Sequence, residues 1–144
     1  MHEQNRILCR ELSLLEFNRR VLAQAEDKNV PLLERLRFLC IVSSNLDEFF
    51  EVRMAWLKRE DKLHPRRKLD NGKMPSETIA DVTKAARSLI QHQYDLFNNV
   101  LQPELAQEGI FFYRRRNWTD TQKKWIEDYF DRELLPILTP IGLD

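Results

Sequence analysis

The stretch PLLERLRFLCIVSSNLDEFFEVRMAWLKREDKL, residues 31–63, decides the fold of this chain. After Pro31 it contains neither glycine nor proline, and proline is tolerated in the first turn of a helix, so it predicts one uninterrupted helix. Its apolar residues recur at helical spacing in two stripes, one through Leu32, Leu36, Leu39, Leu46, Phe50 and Leu57 and the other through Phe38, Val42, Phe49, Val52 and Trp56. A helix that is apolar on two sides is expected at the centre of a bundle, with a narrow polar wedge at Ser44, Asp47, Glu48 and Glu51.

Helices are predicted on both sides of this segment. Ser13 and Glu16 have the spacing of a capping box and predict the start of a first helix. It is expected to run to about residue 28 along a stripe of Leu14, Phe17, Val21 and Ala25. Residues 64–75 predict an exposed loop, and Ser76 predicts the start of a third helix that ends near residue 107 after a bend at Pro103. The apolar stripe of that helix is Ile79, Val82, Ala86, Leu89, Gln93, Leu96 and Val100.

The last part of the chain predicts a short extended run at residues 110–113 and a fourth helix. Thr119 with Gln122 predicts the start of that helix, which is expected to end near Leu135. The expected fold class is therefore all-α, an antiparallel helical bundle of about four helices with a long central helix and at most one short extended segment. We expect a helical domain over residues 1–107, and over 108–144 a segment that leads toward a further domain beyond Asp144.

Composition restricts the chemistry. The chain has 144 residues, 23 basic and 23 acidic, so its formal net charge is zero. Only three glycines occur, at positions 72, 109 and 142, so the chain contains no glycine-rich phosphate-binding loop. Any nucleotide phosphates must then be held elsewhere. The longest strictly apolar run, residues 38–42, is too short for a signal peptide or a membrane span.

The side chains that usually perform catalysis are scattered. His2, His64 and His92 share no metal-binding spacing, and Cys9 and Cys40 are too far apart in sequence for a thiolate metal motif. No nucleophile motif occurs. We therefore expect no catalytic residue and no metal site in this chain, and the lack of a disulfide framework favours a cytoplasmic location.

Asn45 is the unusual polar residue, because it occupies a position between Val42 and Phe49 in an apolar stripe. A buried amide must find hydrogen-bond partners. Two interpretations remain open. Asn45 forms a hydrogen bond between helices, or it faces a cleft and binds a planar polar ligand, as asparagine does with the N6 and N7 edge of adenine.

The positive charge is local. Residues 53–73 carry eight basic and three acidic side chains, a net charge of +5. Such a run is commonly a solvated helix end and loop, although it could also attract a polyanion. Stacking aromatic residues are not interleaved with these cations, so nucleic-acid binding is not expected.

Three groups of residues carry a resemblance to a known family. The first is RELS at 10–13 with Leu15, FN at 17–18 and RVL at 20–22; the second is PLLER at 31–35 with RFL at 37–39; the third is SNLDEF at 44–49 with VR at 52–53. Together they resemble the N-terminal domain of the bacterial polyphosphate kinases that use a phosphohistidine. PILTP at 136–140 is similar to that family's passage toward its next domain, whereas Leu14 stands where the family often has tryptophan.

The resemblance implies a parent enzyme that reversibly transfers the terminal phosphate of ATP to polyphosphate, with Mg²⁺ and a phosphorylated histidine that lie outside this chain. The chain alone is then expected to be inactive and to hold neither cofactor by itself. The family's nucleotide-binding asparagine falls on Asn45 in the SNLDEF motif, which implies a contribution to the adenine site. The expected partners are ATP, polyphosphate, the remaining domains and a possible second copy of the chain. The alternative is a helical interdomain or dimerisation module without ligand contact.

Overall fold

Six α-helices follow one another through residues 9–140, which are the residues described by the computed structural model. Their bounds are Arg10–Glu26 (α1), Leu32–Glu48 (α2), Ala55–Leu63 (α3), Pro75–Leu96 (α4), Gln102–Gln107 (α5) and Asp120–Tyr129 (α6). Residues 9–140 contain no β-strand, so the prediction of an all-α fold is confirmed. None of the helices formed by these residues is both long enough and apolar enough to cross a membrane.

The long central helix is confirmed, but it contains one irregular turn. A π-helical segment, Phe49–Met54, joins α2 to α3 without a break, so the helical backbone runs from Leu32 to Leu63. A π-helical turn takes up an extra residue and therefore shifts the helical register of all later residues in the helix. The predicted coverage on both sides is confirmed along α2, where Leu39, Val42 and Leu46 are buried, and is wrong for three side chains farther along the helix. Phe50, Val52 and Trp56 remain exposed, whereas the buried side chains of this part of the helix are Phe49, Met54 and Leu57.

The predicted start of the first helix is wrong, and its predicted buried face is correct only in part. α1 begins at Arg10, and Ser13 lies within it, where its hydroxyl donates to the carbonyl oxygen of Cys9 at 3.0 Å instead of capping the helix. Of the predicted stripe, Ala25 is buried and Leu14 and Val21 are partly buried against the core, whereas Phe17 is exposed. The buried face is Glu11, Leu15, Asn18, Leu22 and Ala25. Two of these five residues are polar, which is why hydropathy alone does not identify this face in full.

The third predicted helix is confirmed in extent and corrected at its start. α4 begins at Pro75, and the carboxylate of Glu77 accepts a hydrogen bond from the backbone N–H of Met74 at 2.8 Å, so Ser76 is not the cap. A second π-helical segment, Phe97–Leu101, joins α4 to α5, which ends at Gln107 as expected. This π-helical segment directly precedes the turn with Pro103, which has no N–H to donate within the helix. The buried positions of the predicted α4 stripe are Val82, Ala86, Leu89, Gln93 and Leu96.

Contacts between helices define the bundle in the first compact unit, which reaches to Ile110. Asn18 contacts Asn45, while Ala25 contacts Arg35, so α1 and α2 run in opposite directions. The side chain of Gln93 on α4 donates to the carbonyl oxygen of Leu39 on α2 at 3.3 Å. The core of this unit includes Leu15, Leu22, Leu39, Val42, Leu46, Phe49, Leu57, Val82, Leu89, Leu101 and Leu105.

The second compact unit begins at Phe111. Residues 111–114 form neither helix nor strand. The predicted capping box is confirmed, because Thr119 Oγ1 accepts from the backbone N–H of Gln122 at 3.2 Å and Gln122 Oε1 accepts from that of Thr119 at 2.9 Å. α6 continues through the π-helical segment Phe130–Leu134, so the predicted end near Leu135 is confirmed.

Candidate functional site

The amide of Asn45 forms a hydrogen bond between helices. Asn45 is half-buried on α2, between the buried side chains of Val42 and Phe49. Its Nδ2 donates to Oδ1 of Asn18 on α1 at 2.8 Å. The first of the two sequence interpretations is therefore confirmed. This bond takes one of the two N–H groups and leaves Asn45 Oδ1 without a hydrogen-bond partner among residues 9–140.

The partner, Asn18, is almost completely buried, with 3% of its surface exposed. Its Nδ2 donates to the carbonyl oxygen of Leu14, one turn earlier on α1, at 3.1 Å. Both ends of the Asn18 amide are therefore hydrogen-bonded, which a buried amide requires. Sequence reasoning included Asn18 in the family resemblance but assigned it no role. Its position seven residues after Glu11 and three after Leu15, on the buried face of α1, is the signal that could have identified it.

Asn45 also lines a cleft, and that it binds a ligand there stays a prediction. The cleft has a volume of about 230 Å³ and lies between α1, α2 and the first π-helical segment. We call it the amide cleft. Its lining includes Leu14, Phe17, Asn18, Asn45, Val52 and Arg53. Interhelical bonding and exposure to a cleft are thus properties of the same side chain.

The walls of the amide cleft are partly apolar. Phe17 and Val52 are each about half exposed, at 50% and 53%. The guanidinium carbon of Arg20 lies 5.9 Å from the centroid of the Phe17 ring, at the distance of a cation–π contact. Ligand pockets commonly have volumes of roughly 300–1,000 Å³, so this smaller cleft fits one planar ring system better than a whole nucleotide.

The polar wedge predicted on α2 is exposed, as expected for a solvated face. One residue of this wedge also lines the amide cleft. Glu48 lines the amide cleft, whereas its neighbour Asp47 does not. Adjacent helical residues point about 100° apart, so the two carboxylates cannot act on one ligand as an acid–base pair.

A second cleft, of about 420 Å³, is lined in part by residues of the basic segment predicted at 53–73. Its cations are Arg53, Arg67 and Lys68, and Arg10 joins them from the start of α1. Trp56 and the acidic residues Glu11, Glu60 and Asp70 also line this basic cleft. Its formal charge is therefore +1, four cations against three acids. The sequence pattern did not indicate Arg10, because it lies more than 40 residues away along the chain.

The four cations of the basic cleft form no ion pair within 4.0 Å among residues 9–140. Lys73, at the end of the same segment, differs from them. Its Nζ donates to the carboxylate of Asp81, and this hydrogen bond and charge raise the pKa of Lys73 above its usual value of 10.5. Three cations of the segment thus line the cleft, whereas Lys73 pairs with Asp81 on α4.

Metal-ligating side chains do not converge in the described part of the chain. Within residues 9–140 no three His, Cys, Asp or Glu side chains lie close enough together to hold a metal ion. His92 contacts the carboxylate of Glu26 at 2.6 Å, and His2 lies outside the described residues.

Comparison with known proteins identifies the family. Residues 7–113 match the family model described as the polyphosphate kinase N-terminal domain. The chain is 93% identical over 144 residues to a polyphosphate kinase of Neisseria meningitidis serogroup C, and 51% identical over 138 residues to one of Burkholderia multivorans. These alignments cover 100% and 96% of this chain, but only 21% and 20% of the relatives.

A solved structure has a similar fold. The crystal structure of polyphosphate kinase from Porphyromonas gingivalis matches with a TM-score of 0.55 at 27% identity, over 94% of this chain and 20% of that one. The chain therefore spans about a fifth of the length of the polyphosphate kinases it matches. Since the family model covers most of the chain, the chain belongs to the polyphosphate kinase N-terminal domain family.

Proposed function

We propose that this chain contributes one wall of the ATP site in a polyphosphate kinase, with Asn45 in contact with the adenine base. In this proposal the enzyme reversibly transfers the terminal phosphate of ATP to polyphosphate. The observation that carries the proposal is the half-buried Asn45 amide, which lines a cleft of about 230 Å³ and whose Oδ1 has no partner among the described residues. Membership in the polyphosphate kinase N-terminal domain family supports it.

The chemistry of the amide cleft suits a purine base. Adenine presents an amino donor at N6 beside an acceptor at N7, and an asparagine side chain complements such an edge with its oxygen and one N–H. Phe17 and Val52 supply apolar surface for the faces of the ring. The sequence has no glycine-rich loop to hold phosphates. We therefore assign the triphosphate to parts of the enzyme outside these 144 residues, where the family resemblance also implies Mg²⁺ and the phosphorylated histidine.

The substitution Asn45→Ala in the full-length enzyme tests this proposal. We expect KM for ATP to rise about tenfold, which corresponds to the roughly 1–3 kcal/mol cost of one lost polar contact. The matched control is Ser44→Ala, because Ser44 is exposed on the same helix and does not line the cleft. Unchanged KM for ATP in an Asn45→Ala enzyme that is folded by far-UV circular dichroism would contradict the proposal.

A second candidate function is suggested by the basic cleft. Four cations without ion-pair partners among residues 9–140 favour contact with a polyanion such as the polyphosphate chain. In the full-length enzyme, Arg67→Ala with Lys68→Ala should weaken polyphosphate binding and reduce its dependence on salt. Arg59→Ala is the control, since Arg59 is exposed in the same segment but outside the cleft. Binding that is insensitive to salt in the wild type would exclude this electrostatic account.

The alternative of a helical interaction module rests on apolar side chains that the first unit leaves exposed. Phe50, Val52 and Trp56 are 38%, 53% and 44% exposed on one stretch of the central helix. Burial of such side chains against another domain or a second copy would be favourable. Sedimentation of the chain over a concentration range distinguishes the two partners, because a strict monomer at all concentrations excludes self-association.

A further inference from the structure

The amide cleft contains a chain of two hydrogen bonds with a fixed direction. Asn45 donates through Nδ2 to Asn18 Oδ1 at 2.8 Å, and Asn18 donates through Nδ2 to the Leu14 carbonyl oxygen at 3.1 Å. A carbonyl oxygen can only accept. Asn18 must therefore present its NH₂ group to Leu14 and its oxygen to Asn45.

The orientation of Asn45 is fixed by these two bonds. Because Asn18 offers an acceptor, Asn45 must direct its own NH₂ group toward Asn18 and its Oδ1 away from it. A reversed Asn45 amide would set two oxygen atoms against each other next to a residue that is only 3% exposed, where water cannot separate them. A free asparagine side chain has no such preference between its two orientations.

We propose that Asn18 is a positioning residue that holds the Asn45 oxygen toward the cleft and thereby selects a base with an amino group at position 6. The proposal rests on the function proposed above. Adenine places an N6 amino donor where guanine and hypoxanthine have a carbonyl acceptor. In the same binding pose, ATP therefore gains a hydrogen bond to Asn45 Oδ1, whereas GTP and ITP bring one oxygen against another.

The experiment compares kcat/KM for ATP and ITP in the full-length enzyme, because these nucleotides differ at position 6 without the extra amino group of guanine. Asn18→Ala and Asn18→Leu both remove the acceptor, and leucine also refills the volume. We expect the ATP to ITP ratio to fall about fivefold or more in each variant, the discrimination typical of such an amide–base contact. A purely structural role would lower both values together and leave the ratio unchanged.

Asn18→Asp is the conservative variant. A carboxylate at position 18 still accepts from Asn45 but no longer donates to the Leu14 carbonyl oxygen, so we expect a less stable protein whose ATP to ITP ratio stays within about twofold of wild type. Far-UV circular dichroism and thermal unfolding identify the variants that fold. If Asn18→Leu fails to fold, Asn18→Ala and Asn18→Asp still give opposite predictions.

The outcomes separate this inference from the function on which it rests. If Asn45→Ala raises KM for ATP while the Asn18→Ala or Asn18→Leu ratio stays at the wild-type value, the positioning role is refuted and the adenine contact stands. A fall of the ATP to ITP ratio in Asn18→Asp to the value of Asn18→Ala also refutes the positioning role. If Asn45→Ala changes nothing, both proposals fail.

Discussion

The buried side chain of Arg35 on α2 forms polar contacts with residues of two other helices, α1 and α5. It lies on α2 with 4% of its surface exposed. Its Nε donates to the carbonyl oxygen of Ala25, at the end of α1, at 2.9 Å. Its Nη1 pairs with the carboxylate of Glu104 on α5, and its Nη2 is buried without a hydrogen-bond partner in the described structure.

We therefore expect removal of the Glu104 carboxylate to lower the free energy of unfolding more than removal of the Arg35 guanidinium. Glu104→Ala leaves the Arg35 charge buried without its counter-ion, a change that typically costs about 3–5 kcal/mol. Since 30% of the Glu104 side chain is exposed, water can partly replace it, and we expect about 3 kcal/mol. Arg35→Met removes the charge together with its desolvation and loses mainly the bond to Ala25, so we expect about 1–2 kcal/mol.

Urea denaturation followed by circular dichroism measures this difference. The midpoint should fall more for Glu104→Ala than for Arg35→Met, with the slope of the transition unchanged. Glu104→Gln keeps a hydrogen-bond acceptor and should lie between Glu104→Ala and wild type. An Arg35→Met variant that is as destabilised as Glu104→Ala would refute the reasoning, because it would show that the uncompensated charge is not the dominant cost.

Two further predictions concern local interactions. Thr119→Ala should destabilise the start of α6 by about 1 kcal/mol, measured as faster amide exchange at residues 120–123, whereas Ser13→Ala should change stability by less than about 0.5 kcal/mol because Ser13 lies inside α1. Equal effects would contradict the two different roles. The raised pKa of Lys73 means that its pair with Asp81 contributes fully below pH 10.5 and is lost as the pH rises through the raised value. Asp81→Asn should lower the Lys73 pKa toward 10.5 in an NMR titration, and an unchanged pKa would exclude Asp81 as the cause.

Much of the fold could be predicted because helix limits depend on local residues. Pro31 and the absence of later helix breakers predicted the long central helix, and Thr119 with Gln122 predicted the start of α6. Ser13 with Glu16 has the same capping pattern, yet it lies within α1. The capping pattern shows that a helix can begin at a residue, whereas packing of the preceding turn determines where it does begin.

The candidate site was predicted only in part. Asn45 was identified because a polar residue interrupts an apolar stripe, whereas Asn18 was not, because the face of α1 that is buried also contains Glu11. A hydropathy pattern assigns such polar residues to the solvent side. The π-helical segment was likewise not predicted, and Trp56, which follows it, is exposed instead of covered. Both misses concern residues whose environment is set by a neighbouring helix or by a local change of helical geometry.

The π-helical segment Phe49–Met54 has a further consequence for the two clefts. Arg53 lies within this segment and lines both the amide cleft and the basic cleft, whereas Asn45 lies before it. Conversion of this wide turn to an ordinary α-helical turn would rotate all later residues of the helix by about 100°. Arg53 and Trp56 would then turn away together while Asn45 kept its place. The single extra residue in this turn thus determines where the cations lie relative to the amide group of Asn45.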